Sequence, residues 1–132
     1  MAEILVTLHS WWRWVVVVVA AITVIKMLVG WLASQKWARL DDQLGMIFTI
    51  TIDIEVLLGI LVWIMLQAWT RGMASAFEHP LTMLLAVIVA QVGRSRARKA
   101  VDDRAKFRTS AIFYTVSFVL ILAGVFLVTS VR

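Results

Sequence analysis

The chain has 132 residues, 62% hydrophobic and 16% charged, with a mean hydropathy of +0.92. A soluble domain carries about 25% charged residues, so this chain has too little polar surface to coat itself in water, yet enough apolar residues for four membrane spans in one domain. Cysteine is absent, which excludes disulfides and thiolate chemistry. The net charge of +5 does not read as nucleic-acid binding, because nine of the 13 basic residues lie in the short segments 33–45 and 93–108 between apolar runs, the pattern of cytoplasmic loops.

The first predicted span covers 4–33. It opens on Met1-Ala2-Glu3 without a basic n-region and stays apolar longer than a signal h-region, so it is expected to persist as a helix. The β-branched run Val15 to Val19 would suggest a strand in water, but in lipid each single run must pair its own amides and is therefore helical. The second span is predicted at 44–69, the third at 74–93 and the fourth at 109–131, each long enough for a bilayer core. The loop 94–108 alternates basic residues with Asp102 and Asp103 and is expected to be helical for part of its length. Short loops make successive helices antiparallel neighbours, so the expected fold is an all-α, up-down-up-down four-helix bundle in the membrane, with helix 1 diagonal to helix 3.

Charge sets the expected orientation. Lys36 and Arg39 in one loop, and Arg94, Arg96, Arg98, Lys99, Arg104, Lys106 and Arg108 in the other, outweigh Arg13, Arg71 and Arg132 on the opposite side. Both basic loops then face the cytoplasm, and both termini the non-cytoplasmic side. Trp11, Trp12, Trp14 and Trp69 would form an outer aromatic belt, and Trp31 and Trp37 an inner one.

Two histidines exist, His9 and His79, each at the outer end of its helix and on diagonal helices. A bundle clamps haem b between two axial imidazoles in this way. Below His9 the helical face continues through Arg13, Val16, Ala20 and Thr23; below His79, through Met83, Ala86, Ala90 and Gly93. These small residues would leave room for a porphyrin, and Arg13 would pair with a propionate. Two observations oppose the haem reading. Small residues line membrane helix interfaces in any case. His79 also stands 14 residues above Gly93 while His9 stands 23 above Leu32, a mismatch of about two turns.

Intramembrane charges give a second signal. An unpaired charge costs about 2.5–3.5 kcal/mol on insertion scales, so a Lys26–Asp53 pair is expected, serving either helix register or a proton or quinone-headgroup site. Glu55, about 200° round the helix from Asp53, is expected to meet Tyr114 or Ser117, or to take up a proton. A metal site from Glu3, His9, Glu78 and His79 has no supporting spacing, and no hydrolase, phosphate-loop or H-E-x-x-H motif occurs. The basic loop reads as an anionic-lipid contact.

The stretch Leu8-His9-Ser10-Trp11-Trp12-Arg13-Trp14, Lys26 with Gly30-Trp31, and Phe77-Glu78-His79 resemble a family of small bacterial four-helix membrane proteins. That family carries H-S-x-x-R-W in its first helix and E-H at the start of its third, and some members bear a b-type cytochrome label. The likeness covers nearly the whole chain, including Lys106-Phe107-Arg108-Thr109. It implies roles for His9, Arg13, Lys26, Glu78 and His79. Some relatives have histidine where this chain has Asp53 and Gln91, which implies that this chain lacks a second, inner histidine-ligated site.

Three functions follow as expectations. The first is a b-type haem protein passing electrons, with quinone as a candidate partner. The second is a non-catalytic structural or pigment-carrying subunit of a larger membrane complex. The third, a channel or transporter, lacks the inverted repeat such folds use and would require a homo-oligomer.

Overall fold

Helix α1 (Ala2–Leu32) buries Val16, Ala20, Thr23, Met27 and Gly30, a spacing of three and four residues that defines one face. Most of its remaining apolar surface is exposed. It ends where Ser34 turns to φ 52°, letting Gln35 N–H donate to Gly30 O at 3.0 Å and Ser34 N–H to Trp31 O at 3.4 Å. Helix α2 (Arg39–Met65) follows at once, its first turn closed by Ala38 N–H donating to the Asp41 carboxylate at 2.9 Å. A 3-10 turn, Ala68–Thr70, and a π turn, Ala74–Glu78, lead into α3 (His79–Lys99). Asp102 accepts from Ala105 N–H at 2.8 Å and starts α4 (Asp103–Val131).

This computed structural model describes the backbone of residues 1–131 and the side chains of residues 1–127. Among the described residues the chain is all-helical, and its four long helices are each long and apolar enough to cross a membrane, α3 counted with its π turn. Only 28–33% of each most apolar window is buried, so the outer surface is mostly hydrocarbon.

Helices α2 and α4 each pack against both α1 and α3, with α3 and α4 the most intimate pair. The shared core holds Val16, Met27, Phe48, Ile52, Phe107, Tyr114 and Ile121. Small residues set the close approaches. A methyl added at Gly30 would meet the Phe107 ring, and one at Gly93 would meet Phe113. Such overpacking costs about 1–3 kcal/mol. Ser117 Oγ donates to Ala86 O at 2.7 Å, stitching α4 to α3.

Several sequence expectations shift. The predicted spans 44–69 and 109–131 begin at Arg39 and Asp103 instead, because Asp41 and Asp102 cap helices that start inside the polar loops. The second helix stops at Met65, and Gln67 adopts φ 50° beyond it. The third runs on to Lys99 rather than 93, with Lys106 Nζ donating to Ala97 O and Arg98 O at 3.2 and 3.1 Å. That extension largely removes the expected height mismatch between His9 and His79. Of the outer tryptophans, Trp11, Trp14 and Trp69 are exposed, while Trp12 turns inward and donates to Thr51 O at 2.8 Å. Trp31 and Trp37 are half-buried against the core. Arg132 lies outside the described residues.

Candidate functional site

The π turn before α3 has a chemical cause. Pro80 has no N–H to give Ala76 O four residues back, and its ring crowds that carbonyl. The backbone widens through Ala74–Glu78, and Trp63 Nε1 on α2 donates to the freed Ala76 O at 3.1 Å. This fixes the start of α3 against the end of α2, and with it the position of His79.

His9 and His79 face one another with ring centroids 6.5 Å apart and planes at 75°. His79 Nδ1 lies 2.9 Å from Gly124 O on α4. A carbonyl only accepts, so His79 carries its proton on Nδ1, and a neutral ring then presents a bare lone pair at Nε2. His9 Nδ1 lies 2.8 Å from Glu55 Oε1 on α2, a short contact without an aligned hydrogen bond. His9 rests on a glycine of α2, where a Cβ at Gly59 would lie 3.1 Å from His9 Cε1; a Cβ at Gly124 on α4 would meet Met83 Sδ at 2.6 Å, with His79 Nδ1 in ordinary contact at 3.6 Å.

Beside the two rings lies a cavity of about 700 Å³, whose lining includes His9, Arg13, Glu55, Trp63, Arg71 and His79. This volume is typical of a small-molecule or cofactor site. The Arg13 guanidinium stacks 5.3 Å from the Trp14 ring, and its buried Nε makes no hydrogen bond. Arg71 Nε donates to Leu66 O at 2.8 Å. Glu55 is 3% exposed, and its Oε1 has no aligned donor.

The structure brings His9, His79, Arg13 and Glu55 together. It does not form the expected Lys26–Asp53 pair. Lys26 Nζ reaches Asp41 Oδ1 at 2.6 Å and Gln35 Oε1 at 3.0 Å, while Asp53 accepts from Gln91 Nε2 at 2.9 Å. The tight α1–α2 turn starts α2 early and sets Asp41 within reach of Lys26; Asp53 lies about 18 Å further along the helix. Nor does Glu55 meet Tyr114 or Ser117. Tyr114 packs on Phe48, ring centroids 5.2 Å apart, and against Gly45, about 15 Å along α2 from Glu55. The small-residue stripes below the histidines leave no slot either. Ala20, Ala86, Ala90 and Gly93 are buried, the last three behind α4, so the free space lies at the histidines instead. The four-residue metal site does not assemble: among the described residues no three His, Asp or Glu side chains gather to hold an ion.

Sequence reasoning missed Gly59 and Gly124. Their signal was present: each is an isolated glycine in an apolar helix, near the end that meets a histidine. Comparison with known proteins finds no matching family model, no matching curated protein and no matching solved structure.

Proposed function

We propose that the chain is a four-helix bundle embedded in the bacterial inner membrane, a b-type haem protein that holds the iron between His9 and His79 and passes electrons. The observation that carries this reading is the pair of facing imidazoles, whose Nδ1 atoms are turned to protein oxygens. With both Nδ1 atoms turned to protein oxygens, each ring keeps Nε2 for a metal, and the cavity of about 700 Å³ beside the rings would house the group. The residues therefore fit the group. When bound, haem b supplies a one-electron couple.

The chain's own residues do the rest. Gly124 O fixes the tautomer of His79, and Glu55 Oε1, 2.8 Å from His9 Nδ1, is placed to orient the His9 ring. Arg13, with a donor to spare at the cavity wall, is placed to pair with a propionate. The apolar helices exclude water and admit a lipid-soluble electron partner of the quinone class. The decisive experiment is an absorption spectrum of detergent-purified protein from haem-replete cells. A Soret band with resolved α and β bands on reduction is expected; colourless protein rules the reading out.

A second reading, an accessory subunit of a larger membrane complex, is favoured by one observation. Asp53 and Gln91 are both exposed on the outer surface, near the middle of α2 and within α3. A carboxylate facing lipid is costly, and a partner helix would cover it. Purification of a stable, haem-free chain only together with other subunits would favour this reading.

A further inference from the structure

Gln91, Arg94, Ser95, Arg98 and Lys99 follow one another at helical spacing along one face of α3 and line a recess of about 400 Å³. At one end Gln91 Nε2 donates to the Asp53 carboxylate. The other end carries three cations and a hydroxyl. Arg94 is half-buried, and its buried Nε makes no hydrogen bond. Arg98 Nε stands 3.9 Å from Asp42 Oδ1 with both side chains well exposed, too long and too wet to neutralise it. Lys99 is exposed.

The negative end of the helix dipole does not account for this set. The carbonyls of Ala97 and Arg98 already accept from Lys106 Nζ, and Arg94 lies above the last turn, where the dipole has faded. Planar guanidinium forks, an ammonium and a hydroxyl around one recess match the oxygens of a tetrahedral phosphate.

We propose that this recess is a phosphate-binding site with Arg94 at its floor. It lies where the apolar part of α3 gives way to the basic loop, the level of phospholipid headgroups in a membrane. The same chemistry would also take free phosphate from solution.

The test uses the full chain in zwitterionic detergent, titrated separately with phosphatidylglycerol, phosphatidylcholine and inorganic phosphate. Thermal melting and native mass spectrometry of retained ligand are the readouts. Phosphatidylglycerol is expected to stabilise the protein more than phosphatidylcholine. The double variant Arg94→Gln with Lys99→Gln should weaken that binding by about fivefold per residue, roughly 25-fold together. Arg104→Gln with Arg108→Gln removes the same charge outside the recess and should leave binding unchanged. Saturation by inorganic phosphate alone, lost in the same double variant, assigns the site to the soluble anion; a response to the lipid only assigns it to the headgroup. Equal stabilisation by phosphatidylcholine, an equal loss in the control variant, or no response to either phosphate source overturns the proposal. Should the double variant fail to fold, Arg94→Lys decides: weakened binding upholds the site and unchanged affinity overturns it.

Discussion

His9 and His79 are held by different helices, so their losses can be separated. Iron with two imidazole ligands is low-spin, and removing one leaves a five-coordinate, high-spin centre. On the proposed haem reading, His9→Ala and His79→Ala are each expected to give high-spin spectra, and the double variant to lose haem. Arg13→Ala should keep the low-spin spectrum and lower the midpoint potential, on the order of tens of millivolts, because it removes a positive charge near the reduced centre. A low-spin spectrum unchanged in His79→Ala would exclude it as a ligand. The histidines were legible in sequence because only two exist and charge bias put them at the same end. The partner of Glu55 was not. Yet Gly45, Phe48, Ile52, Glu55 and Gly59 recur at three and four residues, which marks Glu55 as inward-facing and turns Asp53 outward. That phase argument separated the two carboxylates, and carried one step further it would have removed Asp53 from the buried pair.

Elements are tied together by contacts whose logic is backbone satisfaction. Trp63→Phe should destabilise the protein by about 1 kcal/mol, since it removes the Nε1 donor to Ala76 O. Trp11→Phe, at a 74% exposed position, should change little. Pro80→Ala restores an N–H that can bond Ala76 O, so the cost of Trp63→Phe should shrink in that background; thermal melts that add independently would refute the link. At the other end, Lys26→Met should strand Asp41, which is 1% exposed, while Lys26→Met with Asp41→Asn should lose less than the sum. A coupling below about 0.5 kcal/mol in that cycle would mean the pair contributes nothing. Helix existence was plain from apolar run length, because four such runs leave the backbone no other option in lipid. Helix ends were not plain. Asp41, Asp102 and Lys106 look like loop residues until the carbonyls and amides they satisfy are known.

At the scale of the whole molecule, orientation decides which compartment the site faces. His9 and His79 lie at the end of the bundle where the segment around Gly72 joins α2 to α3, and the basic loops lie at the opposite end. On the proposed orientation, the seven basic residues between positions 93 and 108 would keep that loop in the cytoplasm, and the cavity would open toward the periplasmic face. The chain has no cysteine, so one introduced thiol reports one position. Met73 and Val101 are suitable sites, 64% and 95% exposed, at opposite ends of α3 and outside the packed core. In intact cells a membrane-impermeant maleimide should modify Met73→Cys and spare Val101→Cys, and permeabilising the membrane should make both react. The reverse pattern would place the cavity on the cytoplasmic side, and labelling of both positions in intact cells would contradict a fixed orientation. If Met73→Cys alone reacts, the proposed haem site lies in the periplasmic half of the bilayer, and the basic recess on α3, its Arg94 about 22 Å along the helix from His79, faces the anionic cytoplasmic leaflet.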